Sequence, residues 1–146
     1  MNVLILGSGG REHCFAELIS KSKHCDKLFV APGNSGTSLM AQNLDFSPID
    51  FDLVKGAITK HNIQLVVVGP EDPLVSGIHD FIVSDPVLKG VKVIGPKQQA
   101  AQLEGSKDFA KNFLNRHNIP TAKHQTFTTR QFEEACEYLS LIHISE

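Results

Sequence analysis

No apolar stretch of this 146-residue chain approaches the ~20 residues that a membrane-spanning helix requires. The first apolar run, Val3-Leu4-Ile5-Leu6, is too short, and too soon followed by charge, for a secretory signal. A cytosolic domain with no membrane partner is the expectation. Basic runs are missing as well: 14 Lys and Arg stand against 16 Asp and Glu, for a formal net charge of -2, which gives no footing for nucleic acid. Cysteine is scarce, and Cys14, Cys25 and Cys136 are unevenly spaced without a C-x-x-C pair, so neither a disulfide framework nor a zinc site is indicated. Reduced, structural thiols are the default. The histidines His24, His61, His79, His117, His124 and His143 show no H-x-x-x-H spacing or acidic companion motif, so no metal site is expected. Ser8, Ser35 and Ser106 lie near glycines but outside any G-x-S-x-G, which leaves serine hydrolase chemistry without a motif. Repeats and low-complexity segments are absent too.

What remains is an ordinary domain composition, 41% hydrophobic and 21% charged. The length allows one core of roughly 100–150 residues, or one domain and the beginning of another. Strand-like runs alternate with helix-like stretches: Val3–Leu6, Glu12–Lys21, Leu28–Val30, about Phe51–His61, and Leu65–Val68. Then come a loop, Gly69–Gly77, a helical stretch at Ile78–Ser84, and a further strand, Val91–Ile94, closed by Gly95-Pro96. Short runs of Val, Ile and Leu without period-2 alternation suit strands buried on both faces. The class is α/β with a parallel sheet flanked by helices. In such sheets ligands bind beyond the carboxyl ends of the strands, so the loops after Leu6, Val30, Val68 and Ile94 would gather at one crevice.

The most specific of those loops is Gly7-Ser8-Gly9-Gly10-Arg11-Glu12-His13. A helix start leaves backbone N–H groups unpaired and partly positive, and glycines let a phosphate approach without a Cβ in the way. Arg11 adds a fork of donors suited to phosphate oxygens. A dinucleotide is the obvious occupant, yet the pattern fails twice. In G-x-G-x-x-G the third glycine falls where Glu12 stands, and a side chain there is expected to obstruct close helix–strand packing. The second strand runs into Ala31-Pro32-Gly33-Asn34, with no acid for a ribose 2′-hydroxyl. An NAD(P)-dependent oxidoreductase is therefore the weaker alternative, beside a non-catalytic module that binds a phosphorylated ribosyl metabolite.

After Gly95 the character changes: Lys97–Leu103 and Lys107–His117 read as helices, with Phe109 and Phe113 stacked at i and i+4 and Ser106 placed to cap the second. Asn118-Ile119-Pro120 breaks the pattern, and Thr126–Thr129 leads into a helix over Arg130–Leu139.

Four segments in order carry a resemblance: Gly7–His13, Pro32-Gly33-Asn34-Ser35-Gly36-Thr37, Gly69-Pro70-Glu71-Asp72-Pro73-Leu74-Val75-Ser76-Gly77, and Gly105-Ser106-Lys107-Asp108-Phe109-Ala110-Lys111. Together they resemble the N-terminal part of the phosphoribosylamine–glycine ligases, or glycinamide ribonucleotide synthetases, of the ATP-grasp superfamily, from about Met1 to Leu139. The resemblance implies a Rossmann-like pre-ATP-grasp domain over 1–104, which binds phosphoribosylamine, and the truncated start of an ATP-grasp domain over 105–139. It implies an ATP-dependent enzyme of purine synthesis that joins glycine to 5-phosphoribosylamine through a glycyl-phosphate intermediate, with Mg²⁺ or Mn²⁺ as the metal. The family's main catalytic region, its metal ligands and most nucleotide contacts lie downstream of these residues, so no catalytic residue or metal ligand is assigned and the fragment alone is expected to be inactive.

Carried over residue by residue, Gly9, Gly10 and Arg11 would hold the substrate 5′-phosphate. Glu12 and His13 would either touch substrate or serve as a helix-favouring carboxylate and a satisfied polar residue. Gly33 and Asn34 belong to a turn at the substrate edge. Glu71 would accept from ribose hydroxyls or the amine, or cap the following helix, within a loop stiffened by Pro70 and Pro73 and shared with Leu74; Asp72 is expected to face solvent. Lys107 resembles the first ATP-grasp lysine that reaches nucleotide phosphates, and Lys111 is expected to be solvated. The last seven residues, Ser140-Leu141-Ile142-His143-Ile144-Ser145-Glu146, depart from the family's pattern and read more like translated sequencing adaptor.

Overall fold

Apolar runs with no polar alternation need burial on both faces, and β1 (Asn2–Gly7) meets that need at the centre of a five-stranded parallel sheet. In the computed structural model, which describes residues 1–142, the other strands are β2 (Lys27–Pro32), β3 (Gln42–Asn43), β4 (Ile63–Val68) and β5 (Lys92–Ile94). Their order is β3-β2-β1-β4-β5. Register places Leu4 beside Phe29 and Val66. Alternate residues then feed two cores. Leu4, Leu6, Phe29, Val66 and Val68 pack with Val54 and Ile58 of α2 (Phe51–Lys60) and with Ile78 and Ile82 of α4 (Ile78–Ser84). Val3, Ile5, Val30 and Val67 pack with Ala16 of α1 (Gly10–Ser20).

The chain winds from β1 through α1 to β2 and β3, then crosses by α2 to β4 on the far side of β1. That reversal opens a crevice beyond the carboxyl ends of β1 and β4.

Three features of the structure add to the sequence reading. β3 went unrecognised, because two polar residues at an edge carry no apolar signal; pairing with Phe29 and Val30 creates it. The Gly69–Gly77 loop contains a helix, α3 (Glu71–Val75), in which Pro73 is tolerated because an N–H in the first turn has no helical partner. The change of character at Gly95 is not the boundary between compact units: these are Met1–Gly105 and the segment from Ser106 onward. Helix α5 (Gln98–Gly105) belongs to the first, burying Ala101, with Gly105 so near Val75 that a Cβ would lie 2.4 Å from its Cγ2.

In the second unit α6 (Lys107–Arg116) starts at Ser106, whose Oγ accepts from the Phe109 N–H at 3.2 Å. Lys111 is not free in solvent, since its Nζ donates to Thr121 Oγ1 at 2.7 Å and to the Ala122 carbonyl at 2.8 Å. Phe113 pairs with His117, ring centroids 4.4 Å apart. A 3₁₀ turn at Thr129–Gln131 precedes α7 (Phe132–Ile142), so the helix expected from Arg130 begins two residues later. The departure expected at Ser140–Glu146 falls on the end of α7 and on residues 143–146, which lie outside the described residues. Among the described residues no helix is long and apolar enough to cross a membrane.

Candidate functional site

Two hydrogen bonds gather the loops at the sheet edge around the end of β1. The Gly33 N–H donates to the Gly7 carbonyl at 3.1 Å, and the Gly69 N–H donates to the Leu6 carbonyl at 3.0 Å. Gly33, at φ +74°, makes its turn in the left-handed region, where glycine is favoured. Between these loops lies a crevice of about 370 Å³. One wall is Gly7, Ser8, Gly9 and Glu12, the opposite wall Pro70, Asp72 and Pro73, with Pro32 and Ser47–Ile49 closing the rest.

Glu12 sits inside this crevice wall rather than on a helix surface, and is only 4% exposed. Its Oε2 accepts from the Gly9 N–H at 2.7 Å, and its Oε1 accepts from Arg11 Nε at 3.1 Å. The expectation that a side chain here obstructs packing is overturned, because the facing loops supply the missing space. A Cβ on Gly7 would come within 2.6 Å of Glu12 Cγ, and one on Gly69 within 2.1 Å of Glu12 Oε1. Glycines of the motif that would face a ligand are shared with a carboxylate of the chain's own helix.

The unpaired N–H groups at the helix start are shifted from the expected set. The first helical bond of α1 is made by the His13 N–H, to the Gly9 carbonyl, so the N–H groups of Gly10, Arg11 and Glu12 precede it and point outward from the helix start. Gly10 has open space where a Cβ would stand. The Arg11 side chain is about half exposed, at 53%. These donors lie at the open start of the helix, whereas the Gly9 N–H is engaged by Glu12.

Asn34 is placed as a brace. Its Nδ2 donates to the Ser8 carbonyl at 2.8 Å, and its Oδ1 accepts from the N–H groups of Gly36 at 2.8 Å and Thr37 at 3.0 Å. Thr37, fully buried, accepts from the Asn34 N–H at 2.8 Å and has one hydroxyl hydrogen to give to Asn43 Oδ1 at 2.8 Å, while Asn43 Nδ2 donates to the Asn34 carbonyl at 2.9 Å. The loop after β2 is thereby rigid and holds the loop after β1. Sequence reasoning missed Thr37 and Asn43; the only available signal was the Asx-turn chemistry of Asn34 followed by a threonine three residues on.

A model described as "Phosphoribosylglycinamide synthetase, N domain" matches residues 1–104. The chain belongs to the phosphoribosylglycinamide synthetase N-domain family. Beyond that domain the likeness continues: the chain is 50% identical over 142 residues to a phosphoribosylamine–glycine ligase of Haemophilus influenzae, covering 95% of this chain and 32% of that protein. It is 42% identical over 144 residues to a bifunctional purine biosynthetic protein of Pichia angusta, covering 96% of this chain and 18% of that one. A crystal structure of phosphoribosylamine–glycine ligase from Thermotoga maritima superposes with a TM-score of 0.64 at 28% identity, over 94% of this chain and 30% of that one. The chain thus spans about a third of the length of the ligases it matches.

Within this phosphoribosylglycinamide synthetase N domain, the structure brings Gly9, Glu12 and Pro73 into one crevice, with Gly10 and Arg11 at the start of the helix that carries Glu12 and Asn34 behind the loop. Glu71 and Asp72 are both exposed at the start of α3, Asp72 facing solvent as expected; of the two, Asp72 borders the crevice. Leu74 is a core residue, 7% exposed, and would meet a Cβ on Gly95 at 2.7 Å. His13 packs its ring against Gly36, where a Cβ would lie 2.3 Å from Cε1. Lys107 is exposed at the first position of α6, in the second unit. Among the described residues no group of three or more His, Cys, Asp or Glu is placed to hold a metal ion.

Proposed function

We propose that this chain is the amine-substrate portion of an ATP-dependent ligase that joins glycine to 5-phosphoribosylamine, giving glycinamide ribonucleotide in purine synthesis. Support comes from the family match over residues 1–104, seated on a crevice at the strand-order reversal with three outward N–H groups and Arg11 at its edge. In this reading a glycine carboxylate oxygen attacks the γ-phosphorus of ATP and releases ADP. The ribosyl amine then attacks the carbonyl carbon of glycyl phosphate and expels phosphate, a far better leaving group than oxide.

The work of this chain is binding and orientation. The Gly10, Arg11 and Glu12 N–H groups and the Arg11 guanidinium take the 5′-phosphate. Asn34 and Gly33 fix the loop that presents them, and Pro73 with Asp72 forms the facing wall. Leu74 contributes packing under α3 rather than contact with substrate, and Glu71 caps no group within the crevice. The segment from Ser106 is read as the truncated start of an ATP-grasp domain, with Lys107 reaching a nucleotide phosphate there. The family's metal ligands are read as lying downstream of these residues, so no step is assigned to Mg²⁺ or Mn²⁺ in this chain. The cytosol is proposed as the compartment, in keeping with three free cysteines.

Titration calorimetry of the chain with ribose 5-phosphate, beside NADH, tests the reading. Ribose 5-phosphate binding that weakens at least tenfold in Arg11→Ala, with none to NADH, is expected. Binding of NADH alone would refute it.

A further inference from the structure

The buried carboxylate of Glu12 occupies an unusual place. It lies at the carboxyl ends of β1 and β4, over glycines from both loops, where the doubly wound fold ordinarily receives the diphosphate of a dinucleotide against a glycine turn and a helix start. Three glycines frame it: Cβ atoms built on Gly7, Gly69 and Gly9 would stand 2.6, 2.1 and 3.0 Å from its atoms. It also takes the Gly9 N–H, the innermost donor of the turn. Among the described residues its cationic partner is Arg11, which is half exposed, while the exposed Asp72 adds a second carboxylate at the crevice.

We propose that Glu12 is a specificity-determining residue: its carboxylate is a built-in anion that fills the diphosphate position, so the crevice rejects diphosphate ligands and admits those whose single phosphate stays outside. A ligand phosphate is then met by the Gly10 and Arg11 N–H groups at the start of α1. The group next to that phosphate must carry hydrogens for Oε1 and Oε2 to accept, which a polyhydroxylated ring or an amine does and a second phosphate does not. A second negative charge brought against a carboxylate that is itself only 4% exposed is repelled, whereas a hydroxyl donating to that carboxylate is among the stronger neutral-to-charged contacts. This deepens the ligase reading, on which its choice of ribosyl ligand rests, but the exclusion of diphosphate stands on the Glu12 geometry alone.

The test uses the whole chain and two probes, inorganic pyrophosphate and ribose 5-phosphate, by calorimetry on wild type and Glu12→Gln. Pyrophosphate binding should tighten at least tenfold in Glu12→Gln, while ribose 5-phosphate binding should weaken. No gain for pyrophosphate overturns the proposal, as does equal tightening of both ligands, which would make Glu12 a general repellent. A gain for pyrophosphate with no ribose 5-phosphate binding to wild type would support the exclusion and refute the ligand reading of the previous section. A measurement on wild type alone guards against misfolding of the variant. Titrated inorganic phosphate should shift the amide resonances of Gly10 and Arg11 and leave that of Gly69 unmoved, and a shift at Gly69 comparable to theirs would refute the built-in anion.

Discussion

Replacing Gly69 with alanine adds one methyl group and no charge, yet the geometry makes it a severe change. The new Cβ would lie 2.1 Å from Glu12 Oε1 and 2.5 Å from Cδ and Cγ, so the carboxylate must leave its cradle. Leaving costs the Gly9 N–H···Oε2 bond of 2.7 Å, a bond to a charged group worth about 1.5–3 kcal/mol. Forcing atoms into a packed site adds about 1–3 kcal/mol. The bond to Arg11 contributes little more, because that side chain is half exposed and water replaces the carboxylate. The expected loss is about 3 kcal/mol, or a fall of about 10 °C or more in the melting temperature of a unit this size. Urea denaturation of four proteins decides it: wild type, Gly69→Ala, Glu12→Ala and the double variant. Once Glu12 is shortened to alanine the clash is gone, so Gly69→Ala should then cost under about 0.5 kcal/mol, leaving a coupling of about 2–3 kcal/mol between two residues 57 positions apart. Gly56→Ala is the control, since Gly56 lies inside α2 with nothing near its missing Cβ and alanine there should stabilise by about 0.5–1 kcal/mol. A Gly69→Ala variant as stable as wild type, or one equally damaged without Glu12, would refute the cradle.

Asn34→Asp keeps an oxygen for the Gly36 and Thr37 N–H groups but turns a second toward the Ser8 carbonyl; a loss of about 1–3 kcal/mol and faster amide exchange at Ser8–Gly10, with β1 unchanged, is expected by hydrogen-exchange measurement. Asp85 accepts from Lys55 Nζ at 2.5 Å and from the Val87 N–H at 2.8 Å, and the Lys55 bond above all holds its carboxyl below the ordinary range. That lowered value adds stability above the unfolded carboxyl's pKa of about 3.9 and loses it as pH falls through the folded value. Urea midpoints of wild type and Lys55→Met should therefore differ at pH 7 and converge toward pH 2; a gap that widens on acidification would contradict the pairing. Ile82→Ala empties a fully buried position between α4 and the sheet and should cost about 2–5 kcal/mol in the same assay.

Local pattern made the central strands readable because Val3–Leu6 and Leu65–Val68 are apolar on both faces, and only a covered parallel sheet satisfies such runs. Helix α6 was readable from its cap, with Ser106 Oγ accepting from the Phe109 N–H, whereas α2 was read from its helix-like run alone and its Asp50 cap, accepting from the Leu53 N–H, went unread. β3 was not, since Gln42 and Asn43 are a strand only through their neighbours. The site divided the same way. A glycine-rich turn before a helix is a local signal, and the structure has the turn and the helix in place. What Glu12 does there depends on Gly69, which reaches it only through the pairing of β4 with β1. Spacing measured against the dinucleotide pattern registers a misplaced side chain and says nothing of the loop that makes room for it. Asp72 borders the crevice rather than Glu71 because an unrecognised five-residue helix, with Pro73 in its first turn, rotates successive side chains by about 100°.

The lacing of the strand ends leaves the crevice unequal in stiffness. Gly33 and Gly69 are each tied to a β1 carbonyl and Asn34 to the Ser8 carbonyl, so three of the loops around it move only as one body with the sheet. Ser47, Pro48 and Ile49 form the remaining side, and among the described residues they make no hydrogen bond to those strand ends. The crevice is thus referenced to the sheet through three of its sides, an anvil whose position the strand ends set, with the fourth side laid against it.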